Sequence, residues 1–263
     1  MGGTGSHALV VIDPQNDFCD QRGSLYVDGA ASDIARLSSH ITERGGEYSD
    51  IFVSLDSHDV IAIFHPRFWV GEDGLNPAPF TRISEGDLSS GKWRPASPLY
   101  RERAAKTFSA MKSKQIDSMM IWPEHCVVST WGCQIADALR DALRSWRGIT
   151  GRAVRYVFKG ENPFTDQFSI FEGVDSSWPE TSFNEALFSR LSGFDAVTFA
   201  GEALSHCVES SIVSYTGRLG HTARKSQKIT LLADCTSPVA GFDRQSSLSR
   251  ITASGVSCVT TAS

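Results

Sequence analysis

The sequence has no apolar run approaching the roughly 18 to 20 residues needed to span a bilayer as a helix, so no helical membrane segment is expected. It has no excess of basic charge. The formal net charge is -5, whereas proteins that grip nucleic acid usually present a basic surface. Residues 1–7 are rich in glycine and lack the apolar stretch of a secretory signal, so they read as a flexible tail. No Cys-x-x-Cys pair occurs among Cys19, Cys126, Cys133, Cys207, Cys235 and Cys258. In a long chain without an export signal, a cytoplasmic setting with mostly reduced thiols is the expectation. Most of these cysteines should then be small buried hydrophobes. No internal repeat and no second set of core-forming segments is visible, which leaves one domain over 8–263.

What is present is an ordinary globular composition, 41% hydrophobic and 21% charged, enough to build a real core. Short apolar runs recur at 8–12, 51–55, 154–158, 196–200, 229–233 and 256–261. Runs this continuous suit strands buried on both faces of a parallel sheet. Helical spacing lies between them. Ile34, Leu37 and Ile41 share a face over 30–42, and Ile135, Ala138, Leu139 and Leu143 do so over 131–146. Segments 184–191 and 208–219 behave similarly. Alternating strands and helices predict a three-layer α/β fold, a mostly parallel six-stranded sheet with helices on both faces and right-handed crossovers. The segment 66–123 breaks the rhythm. It is rich in Pro, Gly and Ser, shows no clear strand, and carries one helix around 99–112, so it reads as a lid, a binding element or an insertion.

In open α/β sheets ligands bind beyond the carboxyl ends of the strands, so the residues there carry the functional question. Asp13 leaves the first strand in Ile12-Asp13-Pro14-Gln15-Asn16-Asp17-Phe18, as a turn cap or as a general base. The second strand ends in Asp56-Ser57-His58, with His65 seven residues on, and His125 follows in Trp122-Pro123-Glu124-His125-Cys126. Carboxylate and neutral imidazole suit zinc, iron or manganese. Lys159 ends the third strand and reads as a solvated surface group unless the sheet sets it beside Asp13 and a nucleophile. The fourth strand leads through Ser205-His206-Cys207-Val208 into a helical pattern, which places Cys207 near a helix start. There the positive dipole end favours a thiolate and the free N–H groups suit an oxyanion. His206 is a candidate base by adjacency, but neighbours on a helix rarely face each other, so Asp13 is preferred.

These segments, together with Gly23-Ser24-Leu25 and Lys159-Gly160, occur in the same order as in a known family. The chain resembles nicotinamidases and related cysteine hydrolases of the isochorismatase-like superfamily over roughly residues 9–240. The resemblance implies a catalytic triad of Asp13, Lys159 and Cys207, and a divalent metal, zinc before iron or manganese, on Asp56, His58 and His125, with His65 as a further ligand in some relatives. It implies a cis peptide between Ala203 and Leu204, an oxyanion hole from the N–H groups of Ala203 and Cys207, and Phe18 and Trp122 flanking a planar ring. The implied substrate is a small amide, nicotinamide first, within pyridine nucleotide salvage and NAD biosynthesis; a carbamoyl, ureido or maleamate-like amide is the alternative. Many relatives are homo-oligomers, although the sequence itself carries no interface signal. Two departures stand out: the extra length between His65 and Trp122, and Ser205 where many relatives have an acidic residue. A metal-hydroxide hydrolase and a binding protein without catalysis are the readings from other classes.

Overall fold

The computed structural model describes residues 5–262, and of residues 221–225 the backbone alone. The chain begins with β1 (His7–Ile12), the single turn α1 (Asn16–Cys19), α2 (Ala30–Arg44) and β2 (Asp50–Asp56). The segment that follows holds β3 (Trp69–Gly71), β4 (Arg82–Ser84), α3 (Glu85–Ser90), β5 (Trp93–Pro95), α4 (Arg101–Ser113) and β6 (Ser118–Met120). Then come α5 (Asp137–Thr150), β7 (Arg155–Lys159), α6 (Glu185–Ser192), β8 (Ala196–Gly201), α7 (Glu209–Ser226, kinked at Gly220), β9 (Lys228–Leu232), α8 (Arg244–Ala253) and β10 (Ser257–Val259).

Six strands form one parallel sheet in the order β10-β9-β8-β1-β2-β7, the three-layer α/β architecture that the alternating pattern predicts. The alternation along β1 shows why its apolar run is continuous. Leu9 and Val11 join a cluster with Ile34, Leu37 and Ile41 of α2 and Leu139 and Leu143 of α5. Ala8, Val10 and Ile12 face the other way, onto Leu187 of α6, Ile212 and Tyr215 of α7 and Ile251 of α8. A strand covered on both sides has no face left for polar residues. Each fully buried aliphatic side chain in these layers contributes about 1.5–3 kcal/mol. Among the described residues no helix is long and apolar enough to cross a membrane, and all six cysteines are free thiols.

Three sequence expectations differ from the structure. The segment 66–123 does contain strands: β3 pairs with β5 and β4 with β6, as two small antiparallel sheets. Three-residue strands carry too little periodicity to be read from sequence. Ile83, Phe108, Met111 and Met119 from this segment are buried in the same cluster as α2 and α5, so it is built onto the core. The helix expected over 131–146 starts only at Asp137. Its forerunner instead spends its backbone on the loop after β1: the Gly132 and Gln134 carbonyls accept from the N–H groups of Asp17 and Asn16 at 3.0 and 2.8 Å. Of the expected tail over 1–7, residues 1–4 lie outside the described residues, whereas Ser6 donates its N–H to Asp195 Oδ2 at 2.7 Å and His7 opens β1.

Candidate active site

The register sets the site. Asp56 pairs with Lys159 at the last rung between β2 and β7, and Ile12 pairs with Gly201 at the last rung between β1 and β8. Asp13 is thereby the first residue past β1, in a left-handed conformation with φ 42°. Ser54 of β2 holds it twice. The Ser54 hydroxyl accepts the Asp13 N–H at 3.1 Å and donates to Oδ1 at 2.6 Å. Oδ2 lies 2.9 Å from Lys159 Nζ and is left without a well-aligned hydrogen bond, so it is the oxygen open to a further proton.

Lys159 is fully buried, and its ammonium is the hub. Besides Asp13 it meets Asp56 Oδ1 at 2.5 Å, the Gln167 carbonyl at 3.1 Å and Cys207 Sγ at 3.4 Å. Burial works against the charge, but Asp13 and Asp56 outweigh it and hold the ammonium well above the usual lysine range. Burial also pushes the Asp13 carboxyl up, with Lys159 pulling the other way. Cys207 behaves alike: burial lifts its thiol well above the ordinary value and Lys159 opposes that. An acid and a thiol that both resist ionisation beside one ammonium can exchange a proton at little cost, because each form conserves the local charge.

Cys207 sits where β8 gives way to α7, in one turn of π-type helix, Leu204–Val208, closed by the Val208 N–H on the Ala203 carbonyl at 3.2 Å. The cis peptide here is Glu202–Ala203, one bond earlier than the sequence reading places it. Leu204 follows a trans bond and its N–H is committed to the Ser237 carbonyl at 2.9 Å, so it serves as a backbone anchor for this loop. His206, the adjacent residue, bonds Ser205 Oγ through Nδ1 at 2.9 Å and stacks edge-on against Trp122. Ser205 in turn accepts the Val239 N–H at 3.0 Å.

Asp56, His58 and His125 bring one ligand atom each to within 4.8 Å of one another, and all three are buried. His58 Nδ1 lies 3.0 Å from the Gly160 carbonyl and His125 Nδ1 lies 2.8 Å from the Pro123 carbonyl, so both rings turn Nε2 toward the trio, where that of His58 lies 3.4 Å from Asp56 Oδ2. Orientation by a backbone carbonyl is the usual support of a metal-binding imidazole. Burial holds His125 well below the usual histidine range, hence neutral. The donor set therefore fits a divalent cation with nitrogen and oxygen ligands. His65 lies beside this trio, its ring packed against His58 and His125. Its Nε2 lies 3.3 Å from His125 Nδ1, the backbone-facing side of that ring, and burial lowers its pKa to about 4.

Support residues explain the motif segments around the site. The Gln15 side chain donates to the Asp56 carbonyl at 2.7 Å and accepts the Asp56 N–H at 2.8 Å, pinning the end of β2. Asp17 accepts the Cys126 N–H at 2.7 Å and the Ser24 N–H at 3.0 Å, tying the His125 loop to the Gly23-Ser24 turn. Gly160 needs φ +73°, and a Cβ there would lie 2.3 Å from His58 Cε1.

Phe18 and Trp122 line the same small chamber as Cys207 and the metal trio. Leu25, from one of the matching segments, lines it too, as do Asp166, Gln167, Phe168 and Val239, which sequence reasoning missed. Asp166, Gln167 and Phe168 follow β7, so the strand-end rule extended by one loop would have reached them; no periodicity marks them. Burial pushes the Asp166 carboxyl up to about 6.

No protein-family model matches the chain. It is 25% identical over 232 residues to a nicotinamidase of Saccharomyces cerevisiae, covering 88% of each chain. It is 27% identical over 204 residues to a nicotinamidase/pyrazinamidase of Mycobacterium tuberculosis, covering 78% of this chain and 75% of the relative. Among solved structures, the yeast nicotinamidase superposes with a TM-score of 0.67 at 22% identity, over 96% of this chain and 99% of that one. A pyrazinamidase of Pyrococcus horikoshii, solved in complex with zinc, gives 0.59 at 18% identity over 97% and 99%. In sequence the chain is similar to nicotinamidases, and in fold it is similar to them and to an isochorismatase family protein.

Proposed function

We propose that this chain is a metal-dependent cysteine amidohydrolase that converts nicotinamide to nicotinate and ammonia. The observation that carries the reading is Lys159 Nζ, which reaches Asp13, Asp56 and the Cys207 thiol at once, at 2.9, 2.5 and 3.4 Å. It couples an acid, a nucleophile and a metal-type ligand set in one buried place. The amidase relatives support the substrate class, and the zinc complex of the Pyrococcus horikoshii protein supports the metal.

The chemistry is the one that the family resemblance implies, carried by the residues brought together here. Asp56, His58 and His125 would hold a divalent ion, which would supply a Lewis-acid site for the ring, while Phe18 and Trp122 flank the ring plane. Asp13 Oδ2 takes the Cys207 proton as sulfur attacks the amide carbon. The Ala203 and Cys207 N–H groups, the donors that the family resemblance implies, would hold the oxyanion, while those of Leu204, His206 and Val208 are engaged with backbone carbonyls. Removing one such donor typically costs about 3 kcal/mol of barrier. Asp13 then passes the proton to nitrogen, ammonia leaves, and a thioester remains. Asp13 next draws a proton from water, which attacks the thioester, releases nicotinate and restores the thiol.

The test is ammonia release from nicotinamide by wild type and Cys207→Ala, with metal content measured on both. We expect turnover to vanish in the variant while bound metal stays near the wild-type level. Retained turnover in Cys207→Ala would assign the reaction to a metal-generated hydroxide instead.

A further inference from the structure

The catalytic chamber is small, with free space of about 30 Å³. Beside it lies a second cavity of about 190 Å³. The two share Trp122, Asp166, Phe168 and His206, so one wall of the catalytic chamber is also the floor of the larger space. The rest of that space is walled chiefly by apolar side chains of the segment that sequence reading set apart: Met111 of α4, Ile116, and Met119 and Met120 of β6, closed by Val174. The reaction steps use none of these residues. Methionine walls adapt readily to the shape of an apolar guest. Apolar cavities of about 150 Å³ stay dry and take up benzene, so this one is large enough for a ring.

We propose that this cavity is a substrate subsite, and that the preferred substrate is an aromatic carboxamide bearing an uncharged, ring-sized apolar substituent. The carboxamide would lie at Cys207 and the substituent would pass the Trp122–Phe168 wall into the methionine-lined space. Asp166 at the junction and Arg82 in the cavity wall carry opposite charges, so the lining selects by its apolar surface and not by the sign of a charge. This rests on the reading that Cys207 attacks an aromatic amide, and it names which amide.

The test uses nicotinamide and its phenyl derivatives at ring positions 2, 4, 5 and 6, followed by ammonia release from the wild-type chain. At least one isomer should show a KM about ten- to a hundredfold below that of nicotinamide, the range given by burying a phenyl-sized group. Met120→Trp and Val174→Trp each fill the cavity. Both should abolish that advantage and leave nicotinamide turnover within about twofold of wild type. Wild-type enzyme that hydrolyses nicotinamide but handles every isomer less well overturns the subsite. So does an advantage that persists in both filled variants. Ammonia from no member of the panel overturns the amidase reading, and the subsite with it.

Discussion

At the scale of single residues, Lys159 is the position where the local reading and the family resemblance part company. A lysine ending a strand reads as a surface group, yet its side chain is fully enclosed between Asp13, Asp56 and Cys207. Nothing local in Phe158-Lys159-Gly160 encodes that, because its partners lie on β2, past β1 and past β8. Removing it strands two buried carboxylates, so Lys159→Ala should lose activity and about 3–5 kcal/mol of stability, measured by chemical denaturation. Its neighbour Asp13 makes a prediction about pH. Burial raises this carboxyl above 3.8, and the proposed reaction needs it ionised. As pH falls, Asp13 therefore takes up its proton sooner than an ordinary aspartate would. The acid limb of kcat/KM should accordingly lie above the ordinary aspartate value. A limb at or below 3.8 would separate Asp13 from catalysis.

At the scale of elements, the loops past the strands are held by a few backbone constraints that motif reading touched without explaining. Gly160 is the sharpest. Its φ of +73° and the 2.3 Å approach of His58 Cε1 to a would-be Cβ leave no room for a side chain. Gly160→Ala should displace His58 and weaken metal binding by about 10–100-fold, with the global fold retained, read by metal titration. The segment 66–123 poses the opposite case. Its composition suggests a detachable lid, but α4 presses Phe108 against Trp69, ring centroids 6.0 Å apart, within the main buried cluster. We propose that it unfolds with the sheet as one unit. Phe108→Ala should then lower the stability of the whole chain by about 3–5 kcal/mol in a single transition. A separate early transition for the segment would contradict that.

At the scale of the whole molecule, the parallel sheet is what turns scattered motifs into a site. Apolar runs with helical segments between them determine strands buried on both faces, and parallel strands place all their carboxyl ends along one edge. That much follows from the sequence itself, since Ala8 through Ile12 or Ile51 through Val53 leave no polar face for water to cover. The ordered segments around Asp13, Asp56, Lys159 and Cys207 likewise made those residues legible, because turns at strand ends are local in sequence. Strand order and register were not local. The placement of β7 beside β2 set Lys159 against Asp56, and the placement of β1 between β2 and β8 set Asp13 within reach of both Lys159 and Cys207. The position of the cis bond at Glu202–Ala203 and the second cavity behind Trp122 also came from tertiary structure alone. The physical reason is the same in each case. A backbone pattern states which face of an element is apolar, whereas contacts between side chains far apart in sequence are decided only when the layers pack.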